Sequence, residues 1–178
     1  LQDIYSQTQW PNWVNEIKQL EINYRNSKEI YKFLESLVDL SKFTSSGVSL
    51  NEVKFINLNV GDDLNSICIQ QLEEIVTEAT NLQDITVLAS DNETKKQLIK
   101  NKEFDKYIDK GLIIESFRRY TGLENDIILL VIPRRTSLPA SISKSKYKNY
   151  LYTAASRARK SLVIIAPNGL VEELSLND

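Results

Sequence analysis

The chain of 178 residues contains no histidine and no methionine, a single cysteine (Cys68) and only five glycines. Without imidazole, Ser-His-Asp and Cys-His catalysis are excluded within this chain, and so are most zinc sites; no metal is expected here. One cysteine cannot close an internal disulfide, which fits a reducing, cytoplasmic setting. No apolar run reaches the roughly eighteen residues of a membrane-spanning helix, and the start "LQDIYSQTQWPNW" is too polar for a signal peptide. The lack of a methionine means that no residue here is a start residue, so the chain is expected to be part of a longer polypeptide. No G-x-x-x-x-G-K-[ST] stretch is present, and no acidic segment of the magnesium-holding kind follows a strand.

What is present is globular. Hydrophobic residues make up 42% and charged residues 26%, with a formal net charge of -2, so any binding of a polyanion has to be local. Ile30, Phe33, Leu34, Leu37 and Val38 recur with helical spacing. Strand-like runs follow at "VKFINLNV", "DITVLAS", "GLIIES", "NDIILLVIP" and "SLVIIAP". Helices are predicted between them, over Leu64 to Ala79 with Cys68 on the core side, from about Glu93 with Asp91 as N-cap, and over Lys146 to Arg159. "GLVEELSL" reads as a short terminal helix. Continuous apolar strands separated by amphipathic helices predict an α/β fold with a mostly parallel sheet covered on both faces. In such sheets ligands gather at the carboxyl ends of the strands. The polar segments "NYRNS", "FRRYTGLEND" and "SRARK" are placed there on this reading.

Each of these segments has an ordinary explanation when taken alone. Arg25 suits a surface ion pair, Arg157 a helix C-terminus, and Glu124 a turn in which Gly122 supplies a positive φ. Arg118 and Arg119 fit a solvated turn. Together, and in their order, they carry more. "LQDIY" (Leu1 to Tyr5), "LEINYRNS", "SFRRYTGLENDIILLVIP" and "LYTAASRARKSLVII" resemble motif III (its tail), motif IV, motif V and motif VI of superfamily 1 helicases of the UvrD/Rep/PcrA type. The resemblance is to their second, carboxyl-terminal RecA-like motor domain and spans nearly the whole chain. Residues 1–19 would hold the motif III tail and a linker, and residues 20–178 the domain proper. Roughly ninety residues lie between motifs IV and V, which leaves little room for a large 2B insertion, so a compact relative without one is expected.

The resemblance implies an ATP-binding set of Gln2, Tyr24, Arg25, Gly122, Glu124 and Arg157. Tyr24 would stack on adenine, and Glu124 would accept from a ribose hydroxyl. Gln2 would sense the γ-phosphate. Arg25 and Arg157 would be the catalytic arginine fingers, a role suited to a permanently charged fork of donors. Ser116, Arg118 and Arg119 would contact single-stranded DNA. ATP with Mg²⁺ is the implied cofactor, the metal being held by an amino-terminal RecA-like domain of the same polypeptide; no membrane partner is implied, and the isolated domain is expected to be a monomer. Thr121 and Arg118 depart from the family pattern, which has Lys and His there. Ser6 and Gln7 stand where a base-stacking aromatic is usual, with Trp10 or Trp13 as substitutes. These departures keep open a second function, a RecA-like binding or regulatory module with no nucleotide cycle of its own. A third reading, a small-ligand enzyme of doubly wound type, is disfavoured because the chain lacks a glycine-rich βα turn, a histidine and a paired-acid cluster. The Asn, Lys and Ile richness points to an AT-rich, bacterial genome.

Overall fold

The computed structural model describes residues 22–38, 40, 43–77, 80–133 and 144–170. Seven strands and five α-helices are found in these residues. In chain order they are β1 (Ile22–Asn23), α1 (Lys28–Leu37), β2 (Thr44–Ser45), β3 (Lys54–Leu58), α2 (Leu64–Ile75), β4 (Ile85–Ala89), α3 (Asn92–Lys100), α4 (Asp105–Ile108), β5 (Ile113–Ser116), β6 (Asn125–Val131), α5 (Lys144–Ala155) and β7 (Ala158–Pro167). The last five-stranded set forms one all-parallel sheet in the order β3-β7-β6-β4-β5. β1 and β2 pair separately as a two-residue parallel ladder, which was not foreseen because two residues are too few to show any periodicity.

The expected α/β architecture is present, and the strand pleat explains its three layers. On β6, Ile128 and Leu130 turn to one face and Leu129 and Val131 to the other; on β7, Leu162 and Ile164 alternate likewise with Val163 and Ile165. The first face packs against α1 and α5 through Ile30, Leu34, Leu37, Leu151 and Ala154. The second packs against α2 and α3 through Cys68, Leu72 and Leu98. Cys68 is fully buried, and desolvation pushes its thiol pKa up to about 12, so it is a core residue rather than a nucleophile.

Helix starts follow the sequence signals. Asp91 accepts from the Thr94 amide at 2.7 Å, as expected of its N-cap position, and Ser27 Oγ, not foreseen as a cap, accepts from the Ile30 amide at 3.4 Å. Two helix ends differ from expectation. α2 stops at Ile75, short of Ala79, because the Thr80 hydroxyl donates to the Ile75 carbonyl and accepts from the Thr77 amide, a local competitor for the helical ladder. α5 stops at Ala155, and Ala158 and Arg159 open β7 instead of continuing the helix. Ala158 follows Ala154 at helical spacing, so periodicity cannot separate the two states; its pairing with Asn125 of β6 does. Beyond Leu170 the terminal "GLVEELSL" segment lies outside the described residues.

Candidate functional site

The three polar segments converge, but at a different place from the one expected. Gly122, Leu123 and Glu124 directly precede β6, and Arg157 directly precedes β7, so this cluster stands at the amino-terminal edge of the sheet. The reason is the short link 117–124. It leaves the carboxyl end of β5 with the Phe117 amide bonded to Ala89 O at 3.1 Å, then runs back along the sheet to start the parallel strand β6. Tyr120 holds this link down. It is buried, and its hydroxyl meets Thr86 Oγ1 at 3.1 Å, which also accepts from Asn125 Nδ2 at 3.0 Å. Gly122 turns the chain with φ +85°, as the sequence suggested.

The segment carrying Tyr24 and Arg25 is fastened to the same edge by its neighbour. Asn26 is buried, and its Nδ2 donates to Ser156 O at 3.2 Å and Ala158 O at 2.6 Å. Asn23 accepts from the Arg25 and Asn26 amides at 2.9 and 3.1 Å, and the Ser27 amide reaches Arg159 O at 2.9 Å. Gly47 lies so close that an added Cβ would sit 2.2 Å from Asn26 O. Tyr24 itself is 75% exposed, an open aromatic face beside this knot.

The charges are sorted by a bulge. Asn125 pairs with Ala158 but Ile127 pairs with Ser161, so Asp126 alone stands opposite both Arg159 and Lys160. Asp126 accordingly binds Arg159 Nη2 and Lys160 Nζ, each at 2.6 Å. Burial works to raise the Asp126 pKa, but these two cations outweigh it and hold the carboxyl below its usual range. Arg25 Nε pairs with Glu124 at 3.0 Å, and Arg159 Nη1 approaches the other Glu124 oxygen at 3.8 Å. Arg157 differs from both. Its Nε donates to Thr153 O at 3.2 Å and its Nη1 reaches Leu123 O at 3.5 Å, with no ion pair among the described residues. Partial burial, then the nearby Arg25 charge, lowers its pKa, against the pull of Glu124. An unpaired, partly desolvated guanidinium with a second one close by is a place for an anion.

Sequence reasoning picked Tyr24, Arg25, Gly122, Glu124 and Arg157, and the structure brings these together. It missed Asn26, Asp126, Arg159 and Lys160. For Asp126, Arg159 and Lys160 the signal was present, as charged residues opening two apolar strands, but only the bulged register sets them face to face. Arg118 and Arg119 are exposed on the 117–124 link. Ser116, expected to touch DNA, is instead buried at the end of β5 with its hydroxyl donating to Glu115 at 3.3 Å, so its side chain is not offered to a ligand as it stands. Gln2, Trp10 and Trp13 lie outside the described residues.

Two concavities flank the sheet. A groove of about 400 Å³ runs between the 117–121 turn and α5, with Arg118 and Arg157 among its lining residues. A crevice of about 750 Å³ at the carboxyl edge is lined by Asp62, Asp63, Asp91 and Glu93. Among the described residues no cluster of His, Cys, Asp and Glu is arranged to hold a metal, and no helix is long and apolar enough to cross a membrane.

No protein-family model and no curated protein matches the chain. Among solved structures, the chain is similar to the carboxyl-terminal domain of a possible DNA helicase from Lactobacillus plantarum WCFS1, at 14% identity and a TM-score of 0.61 over 82% of this chain and 88% of that one. The fold is helicase-like. Alignments with the PRRSV helicase and with the arterivirus nonstructural protein 10 helicase in complex with DNA have 15% and 14% identity. Both have TM-scores of 0.49; they cover 88% and 87% of this chain but only 25% and 27% of those longer ones.

Proposed function

We infer that this chain is the carboxyl-terminal RecA-like motor domain of an ATP-dependent superfamily 1 DNA helicase of the UvrD/Rep/PcrA type, without a large 2B insertion. The observation that carries the reading is the meeting of Tyr24, Arg25, Glu124 and Arg157 at one edge of the sheet, from segments more than a hundred residues apart at their extremes. An open aromatic face, a carboxylate and two guanidiniums are the groups that a purine, a ribose and a phosphate chain call for. The fit extends to Arg157, whose hydrogen bonds among the described residues go to carbonyl oxygens and leave donors for phosphate.

In this reading an amino-terminal RecA-like domain of the same polypeptide supplies the phosphate loop and Mg²⁺. This domain closes on the nucleotide. Tyr24 covers the base, Arg25 moves from Glu124 to the phosphates, and the freed Glu124 accepts from the ribose. Arg157 then stabilises the charge that develops on the transferred phosphoryl group. Arg118 and Arg119 meet the phosphates of single-stranded DNA. Hydrolysis coupled to this closing and opening would move the two domains along the strand.

One feature favours the alternative of a binding or regulatory module. Thr121, standing where the family has a lysine, turns its hydroxyl back to Arg118 O at 2.9 Å and offers no cation. The test separates the two. The 178-residue chain alone should hydrolyse no ATP, since it has no phosphate loop. The natural polypeptide that carries it should do so, with sequence upstream containing that loop. Arg157-dependent turnover by the chain alone, or a natural product of this size, would overturn the motor reading and favour the module.

A further inference from the structure

Glu124 faces two guanidiniums that are held in different ways. Arg25 reaches its Oε2 through Nε at 3.0 Å, and Arg159 approaches the other oxygen, Oε1, with Nη1 at 3.8 Å. Among the described residues Arg25 pairs with Glu124 and with no second carboxylate. Arg159 is fastened elsewhere as well. Its Nε and Nη2 both meet Oδ1 of Asp126, at 2.8 and 2.6 Å, and its carbonyl, at the start of β7, accepts the Ser27 amide at 2.9 Å. Lys160 takes Asp126 Oδ2 at 2.6 Å, so this carboxylate is served on both oxygens. Arg159 is therefore clamped to one acid through two of its nitrogens and presents the third to another.

This asymmetry matters once Arg25 leaves. In the motor reading, on which this inference rests, Arg25 moves to the phosphates and Glu124 turns to the ribose. A carboxylate stripped of its cation beside a triphosphate is pushed away by like charge. A second cation that stays behind offsets that repulsion. We propose that Arg159 is a positioning residue for the nucleotide site, retaining Glu124 Oε1 while Oε2, vacated by Arg25, accepts the ribose hydroxyl. Arginine suits this post because one planar fork can grip Asp126 and still offer Nη1 to Glu124, which a single ammonium cannot do. The bulge makes the arrangement possible, since it sets Asp126 opposite Arg159 and Lys160. The Arg159 side chain is 47% exposed, so its effect falls on the aim of Glu124 more than on folding.

The test measures turnover by the natural polypeptide of ATP and of its 2′-deoxy and 3′-deoxy analogues. Wild type should favour ATP over the analogue that lacks the hydroxyl met by Glu124. Arg159→Gln should raise KM for ATP about tenfold, the order of one hydrogen bond to a charged group, with kcat within about twofold. KM for the disfavoured analogue should hardly move, so the preference disappears. Arg159→Lys keeps the charge without the fork and should lose the preference too, while both variants melt near wild type. In a Glu124→Ala background Arg159→Gln should have no further effect. A rise in KM that is equal for all the nucleotides, or that persists with Glu124→Ala, would make Arg159 a general attractant for phosphate and overturn the proposal. Full preference in either variant, or a wild type indifferent to both hydroxyls, would also overturn it. The motor reading fails separately, through absent turnover or turnover that Arg157→Ala leaves unchanged.

Discussion

The two edges of the sheet are built from the same strands and carry opposite chemistry. The carboxyl edge, the usual ligand side of an open α/β sheet, has the larger crevice, but Asp62, Asp63, Asp91 and Glu93 line it. Asp63 and Asp91 are already used as helix caps. That edge would repel phosphate. At the amino edge Arg25, Arg157 and Arg159 gather around two carboxylates, Glu124 and Asp126, and among the described residues Arg157 has no ion-pair partner. Volume alone would choose the acidic side. The balance of charge left after internal pairs are satisfied favours the amino edge for an anion.

Substitutions can break this contrast at several levels. The largest effect is expected from Arg25→Ala in the natural polypeptide. ATP turnover should fall by about 10³-fold or more, the loss seen when an arginine finger is removed. Thermal stability should hardly move, since the Arg25–Glu124 pair is half exposed and such pairs contribute only about 0–1 kcal/mol. Turnover within a fewfold of wild type would remove Arg25 from the nucleotide site.

Asn26→Ala should reverse that pattern by acting on folding first. Two carbonyls, of Ser156 and Ala158, lose their donor in a buried setting, at a cost of about 1–3 kcal/mol. Urea unfolding of the isolated chain would measure it, and an unchanged midpoint would mean that the knot at the amino edge is not what holds Arg25 in place. Gly122→Ala should cost about 1 kcal/mol, all of it from a Cβ at positive φ, because nothing lies within 4 Å of the added atom. A cost above that would point to a close neighbour at this turn.

The smallest effect concerns acid. The Asp126 pKa lies below its unfolded value, so the charged form is the one stabilised by folding. Its contribution is complete above the unfolded value of about 3.9 and is lost as pH falls through the lower folded value. The melting-temperature gap between wild type and Asp126→Asn should therefore shrink as pH drops from about 5 to 3. A gap that widens with acid would contradict the bulge-built pairing of Asp126 with Arg159 and Lys160.

Much of this was legible in the residues. The buried strands β4, β6 and β7 announce themselves as unbroken apolar runs, and Asp91 marks a helix start. Strand order was not legible, because nothing in "DITVLAS" or "NDIILLVIP" says which neighbour each will choose. The edge at which the polar segments lie was misjudged for the same reason. The 117–124 link is short and polar, and only its passage along the sheet shows that Glu124 opens a strand instead of following one. Arg159 and Arg157 look alike in "SRARK". A bulge pairs one and spares the other, and register is a property of two strands that neither strand carries alone.

The most direct test of this contrast between edges is ATP turnover of the natural polypeptide with Arg157→Ala beside Asp91→Asn. The account predicts a collapse of turnover for the first and near wild-type turnover for the second, with both proteins folded. Equal activity of the two, or loss confined to Asp91→Asn, would place the chemistry at the acidic edge and contradict it.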